Sequence, residues 1–102
     1  MVLAVLGLNH KTVSVDIREK FSISEESARD GLLHLSEQEG IKEAVVLSTC
    51  NRTEIYAVLE DEDDKEELYH FFLTLSGNSK AEKEYFFFYT GTECIRHLFR
   101  VV

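Results

Sequence analysis

Cys50 is the residue whose neighbours best suit it to chemistry. It sits in the run Leu47-Ser48-Thr49-Cys50-Asn51-Arg52-Thr53-Glu54-Ile55-Tyr56, where one apolar segment stops and another begins. The thiolate attacks carbonyls and the thiol does not, so a nucleophilic cysteine needs surroundings that favour negative charge. Backbone N–H groups at a tight turn, with Arg52 two residues on, would favour it. Arg52 also carries a rigid fork of donors matched to a carboxylate, and could hold a substrate that bears one. It could equally pair with Glu54 or face solvent. Thr49 and Asn51 add short polar side chains able to bind an amine or a carbonyl, and both are also common in turns. Most free cysteines are small buried hydrophobes. Position speaks against that here, because a turn is usually at the surface, where an unused thiol is disfavoured.

Other candidates are weaker taken singly. His97 lies beside the apolar stripe of a C-terminal helical segment, one turn from Cys94, where a histidine is commonly a boundary residue with one ring nitrogen satisfied. His10 and Lys11 follow the first apolar run and would approach Cys50 only if that run is a central strand. His34 and His70 fall in helical segments with no companion, which makes them surface residues. Cys94 lies within reach of an apolar helix face, which makes it core.

The elements that must position these residues follow from periodicity. Val2 to Leu8 reads as a strand. Ser22-Ile23-Ser24-Glu25 offers a capping box for a helix carrying Ala28, Leu32 and Leu35 and ending at Gly40. Ala44 to Thr49 reads as a strand buried on both faces and Glu54 to Leu59 as another. Only Cys50 to Thr53 separate them, so the two form a hairpin, and Asn51 tolerates the left-handed backbone such a turn can need. The acidic block Glu60 to Glu67 opens a second helix, whose Leu68, Phe71, Phe72 and Leu75 recur at helical spacing up to Gly77-Asn78. Glu84 to Tyr89 is a fourth strand. Thr92 caps a last helix with Ile95, Leu98, Phe99 and Val102 on one stripe. The order βαββαβ plus a C-terminal helix defines an α+β, ferredoxin-like split βαβ sandwich, an antiparallel sheet with helices on one face.

Composition narrows the function. A chain of 102 residues makes one domain, read as residues 1–102. The apolar stripe reaches the last residue, as expected of a piece of a longer protein. No apolar run approaches the roughly 20 residues of a membrane span, and nothing at the N-terminus resembles a signal peptide. With only two cysteines, no disulfide framework or tetrahedral zinc site is expected, which suits a reducing cytoplasm. No GxGxxG or GxxxxGK[ST] motif offers a nucleotide-phosphate loop. The net charge of −8 argues against tight binding of duplex nucleic acid by this chain alone.

Four segments in this order and at these distances resemble the N-terminal catalytic domain of glutamyl-tRNA reductase. They are Gly7 to Thr12 (GLNHKT), Ile17 to Lys20 (IREK), Leu47 to Tyr56 (LSTCNRTEIY) and Ile95 to Val101 (IRHLFRV). The resemblance spans most of the chain, and the TCNRTE run is its most specific part. It implies that Cys50 is the nucleophile, that Thr49, Cys50, Asn51 and Arg52 form the substrate-binding stretch, and that His97 matters for activity. It implies reduction of glutamyl-tRNA with NADPH to glutamate-1-semialdehyde, the first step of five-carbon tetrapyrrole (porphyrin, haem) biosynthesis. The NADPH and dimerisation domains of that family would follow Val102, so this chain alone is expected to bind no cofactor. Implied partners are the acylated 3′ end of glutamyl-tRNA, a second subunit in a homodimer formed through the missing domain, and glutamate-1-semialdehyde aminomutase. Where the family commonly has HKTAPV, this chain has His10-Lys11-Thr12-Val13-Ser14-Val15, which relaxes a loop without touching the nucleophile.

Two readings without acyl transfer stay open at this level. A ferredoxin-like domain can be a non-catalytic ligand-sensing or interaction module, with Cys50 inert and Arg52 structural. A thiol redox sensor would pair Cys50 with Cys94, which requires the last helix to meet the hairpin tip. On the acyl-transfer reading only the 3′ end enters this domain, so the isolated chain should bind tRNA weakly at physiological salt; an affinity tighter than about micromolar in a filter-binding or anisotropy titration would contradict this.

Overall fold

The computed structural model describes residues 1–101; Val102, the end of the expected apolar stripe, lies outside them. The chain runs β1 (Val2–Asn9), α1 (Val15–Lys20), α2 (Glu25–Leu33), β2 (Ile41–Ser48), β3 (Arg52–Leu59), α3 (Lys65–Ser76), β4 (Phe87–Thr90) and α4 (Gly91–Val101). The sheet order is β2-β3-β1-β4, with every neighbouring pair antiparallel. This is the split βαβ, ferredoxin-like arrangement expected from the element order.

Alternation along β1 and β3 divides the sheet into two faces. Ala4, Leu6 and Leu8 of β1 and Ile55, Ala57 and Leu59 of β3 face one way, where Phe21, Ile23, Leu68, Phe71, Phe72 and Leu75 from the α1–α3 side close a single apolar core. Phe86 enters this core edge-on against Phe21 and Phe72, with ring centroids 5.7 and 5.1 Å apart. The opposite face of the same strands carries Val5, Gly7, Glu54 and Tyr56. Helix α4 covers β1 and β4 there, burying Cys94 and His97. The helices of the βαββαβ core thus share one face, while the C-terminal helix forms a separate roof over the other.

Local differences from the periodicity have visible causes. A short helix, α1, fills the stretch before the expected first helix. The Ser22 hydroxyl donates to the Glu19 carbonyl at 3.0 Å and so closes α1, leaving Ser24 to cap α2 by accepting the Ser27 N–H at 3.0 Å. Helix α2 ends at Leu33, and a 3-10 turn (Leu35–Glu37) leads to Gly40, whose φ of +84° suits glycine. β2 is not buried on both faces. It is an edge strand with Val45 64% exposed, because β3 and not β2 pairs with β1. A further 3-10 turn (Glu62–Asp64) takes up part of the acidic block before α3, which stops at Gly77 in the left-handed region. β4 starts at Phe87 because Lys83–Tyr85 winds into a 3-10 turn, and α4 starts at Gly91, which puts Thr92 inside its first turn.

Phe72 is fully buried at the centre of this core. Phe72→Ala should lower the unfolding free energy by about 3–5 kcal/mol, read from the shift of the urea midpoint at unchanged m.

Candidate active site

The hairpin between β2 and β3 is tight. Thr49 N–H donates to the Arg52 carbonyl at 2.8 Å, and the Thr49 hydroxyl accepts from the backbone N–H groups of Asn51 and Arg52 at 3.2 and 3.3 Å. No described non-glycine residue has positive φ, so Asn51 supplies no left-handed corner. The Thr49 side chain organises the turn instead, and the amides of Asn51 and Arg52 are engaged by it and not directed at Cys50. Cys50 is exposed at the tip. Below it, Ile23 N–H donates to the Ser48 hydroxyl at 3.1 Å. From the side, Arg18 of α1 donates through Nη1 to the Val13 carbonyl at 2.9 Å and through Nε to the Cys50 carbonyl at 3.4 Å. The IREK segment therefore braces the loop that carries Cys50, a role visible only once α1 lies beside the hairpin.

Arg52 points away from Cys50 into a buried cluster around Glu54. The Glu54 carboxylate is completely buried, yet fully used: Arg52 Nη1 donates to Oε2 at 3.3 Å, the Tyr56 hydroxyl to Oε1 at 2.9 Å, and His97 Nε2 lies 2.7 Å from Oε2. A carboxylate only accepts, so Nε2 carries the hydrogen and Nδ1 is left as the ring's other nitrogen. Gly7, opposite Glu54 in the register, makes the room: a Cβ there would lie 2.8 Å from both Glu54 Cγ and the Thr53 carbonyl oxygen. The His97 ring rests on Phe87 and Tyr89, with centroids 4.8 and 5.4 Å away. Beside the cluster, a cleft of about 180 Å³ is lined by Asn9, His10, Lys11, Arg52, Tyr89 and His97, together with Arg100 and Val101.

The structure brings Arg52 and His97 together through a shared acid and places His10 and Lys11 with them, because β1 lies between β3 and β4 and its end, Asn9, pairs with Arg52. Cys50 stands on the adjoining tip and does not line the cleft. His34 and His70 are exposed, as expected of surface residues. Cys94, on the buried side of α4, is 1% exposed, and both thiols are free, so pairing with Cys50 would require drawing Cys94 out from between α4 and the sheet. Glu54 was visible in the sequence only as a partner for Arg52. Its signal was an acid at an inward position of an otherwise apolar strand, facing a glycine.

The site is thus an exposed thiol on a braced hairpin, beside a cleft floored by an arginine and a histidine that share one buried acid, on a ferredoxin-like domain. Residues 6–102 match the family model described as glutamyl-tRNAGlu reductase, N-terminal domain, and the chain belongs to that family. It is 43% identical over 102 residues to glutamyl-tRNA reductase of Desulforudis audaxviator, covering 99% of this chain and 23% of that protein. Against the same enzyme of Synechocystis the identity is 43% over 103 residues, covering 99% of this chain and 24% of the relative. The structure of glutamyl-tRNA reductase from Methanopyrus kandleri superposes with a TM-score of 0.69 at 30% identity, over 97% of this chain and 21% of that one. The chain thus spans about a quarter of the length of these relatives.

Burial raises the Tyr56 phenol well above its ordinary range, and the hydrogen bond to the acid that ties the site together, Glu54, raises it further. Burial, with Glu54 nearby, raises the Cys94 thiol in the same sense. A raised native value means that unfolding releases these protons at high pH, so their stabilisation is complete below the unfolded values, near 10 for tyrosine, and is lost as pH climbs beyond them. Urea unfolding of wild type between about pH 9 and 11 should show stability falling with pH, and Tyr56→Phe should flatten that fall. Glu54→Ala, which leaves Arg52 and His97 unpaired in a buried setting, should cost about 3–5 kcal/mol in the same assay near neutral pH.

Proposed function

We propose that this chain is the catalytic, glutamate-recognising domain of an NADPH-dependent glutamyl-tRNA reductase, and that Cys50 is its nucleophile. The observation that carries the reading is the exposed Cys50 on a hairpin held by Thr49 and Arg18, inside the segment most specific to the family. The Cys50 thiolate attacks the carbonyl of the aminoacyl ester. A carbon–sulfur bond forms, the bond to the ribose oxygen breaks, and the ribose hydroxyl leaves with a proton, so that glutamate remains as a thioester on Cys50. A thioester carbonyl is less stabilised by resonance than an ester, which makes it the better hydride acceptor.

Arg52 supplies the fork for the substrate's carboxylate, with Glu54 holding it in place. Its two roles are compatible, because only Nη1 is engaged by Glu54. Thr49 keeps the turn in shape and Asn51 offers its side-chain carboxamide to the substrate. His97, fixed by Glu54 at Nε2, would orient the ester, and would polarise it only with a second proton on Nδ1, an arrangement that parallels the orienting acid of other nucleophile–histidine sites. Hydride would come from NADPH on another part of the full-length protein, since the glycines here stand singly and form no GxGxxG run. We further infer a cytoplasmic setting, a homodimer formed outside this domain, and transfer of the aldehyde product to an aminomutase. Among the described residues no helix is long and apolar enough to cross a membrane.

A sensing or interaction module would leave Cys50 unmodified by substrate. Incubation with glutamyl-tRNA, acid quench and intact-mass analysis should show one glutamyl adduct on wild type and on Cys94→Ser, and none on Cys50→Ser. Arg52→Lys, which keeps the charge and loses the fork, should slow adduct formation by at least about tenfold, the equivalent of one charge-assisted hydrogen bond. An unmodified wild-type protein would sink the reading.

A further inference from the structure

The net charge of −8 conceals a separation of charge along the sheet. Seven acids lie between Glu60 and Glu67, directly after the end of β3 at Leu59, which pairs with Val2. The cleft lies at the other end, where Arg52 pairs with Asn9. Seven steps of about 3.3 Å place these ends ~23 Å apart, well over two Debye lengths at physiological salt. Around the cleft stand His10, Lys11, Arg52, His97 and Arg100, and among the described residues no acid lines it; Glu54 lies beneath, fully covered.

Four of these basic side chains divide into two pairs. Arg52 and His97, on the floor, are held by Glu54. Lys11 and Arg100, on the rim, are exposed, and among the described residues neither side chain has a hydrogen-bond or salt-bridge partner. Tyr89 joins them with 36% of its surface exposed, its ring stacked on Phe87 at 5.1 Å and so held in place. The geometry points to a subsite for the terminal phosphodiester of an RNA 3′ end, with Lys11 and Arg100 on the phosphate and Tyr89 against the last base.

The inference rests on the acyl-transfer reading for how the ligand enters. The acyl group hangs on the terminal ribose, so a domain that grips glutamate at Arg52 has the nearest phosphate one ribose away, at the rim. With the acyl group at Arg52 in the cleft, the phosphate lies at its rim and the base over Tyr89 at the mouth. Base stacking on an aromatic side chain is tolerant of sequence, and phosphate contacts carry none, which suits an end shared by every tRNA. The acidic block at the far end would repel the remainder of the RNA and favour entry from this side only.

The test is a two-dimensional ¹H–¹⁵N NMR titration of this chain with the 5′-phosphorylated trinucleotide CpCpA, alongside inorganic phosphate and adenosine. Binding of the trinucleotide should perturb residues around Lys11, Tyr89 and Arg100, more tightly than either control. The double variant Lys11→Glu/Arg100→Glu, at exposed positions whose retained fold the spectrum itself reports, should weaken it at least tenfold and flatten the salt dependence by about 0.7 in log–log slope for each phosphate no longer neutralised. Tyr89→Ala should weaken it with the salt slope unchanged. Perturbations elsewhere, an affinity indifferent to charge reversal, phosphate binding as tightly as the trinucleotide, or no binding at millimolar concentration would overturn the inference. Acylation of wild-type Cys50 by the α-thioester of glutamate with N-acetylcysteamine, which contains no nucleotide, is read in parallel. Its failure would count against the acyl-transfer reading, while the trinucleotide map judges the cleft by itself.

Discussion

A carboxylate with no exposure to water, shared by an arginine, a tyrosine and a histidine from two separate elements, holds together the polar face of this domain. Burying an ionised acid is costly unless its acceptor sites are filled, and here the fillers are the side chains that need holding. Glu54 can occupy this position because Gly7 beside it lacks a side chain and because α4 roofs that face of the sheet. Remove the glycine's clearance or the roof, and Arg52 and His97 lose their common anchor.

The sheet serves this arrangement by separating two kinds of burial. One face is an ordinary apolar core, closed by α1–α3, that supplies stability. The other holds a polar cluster under a single helix and carries the site. Cys50 belongs to neither, standing on a hairpin fixed through its own Thr49 and through Arg18 of α1. Cys50 and the cleft residues are therefore held independently, on a tip and on a sheet face, with Arg52 as the link between them.

Much of this was legible in the residues. The short apolar runs Val2 to Leu8 and Glu54 to Leu59, the helical spacing from Leu68 to Leu75, and the short gap around Cys50 suffice for the βαββαβ order, because run length and the 3.6 period are local features that any packing keeps. The run around Cys50 identified the nucleophile candidate and Arg52, since residue type and turn position are local properties. Less legible were the edges: Ala44 to Leu47 looks like a central strand, yet lies at the sheet's margin, and no pattern within a strand records how many neighbours it has.

The sequence by itself determined the elements, their order, the exposed cysteine and the family to which the chain belongs, because each depends on neighbours a few residues apart or on a motif read in line. Only the tertiary structure decided that Glu54 is the shared partner of Arg52 and His97, that Arg18 braces the Cys50 loop, that α4 covers the face opposite the core, and that Lys11 and Arg100 flank one cleft while the acids lie at the other end. Those facts depend on strand register and on which side of a sheet a helix lands. Both are settled by residues far apart in the chain, such as Asn9 and Arg100 at the two ends of it, for which local pattern carries no signal.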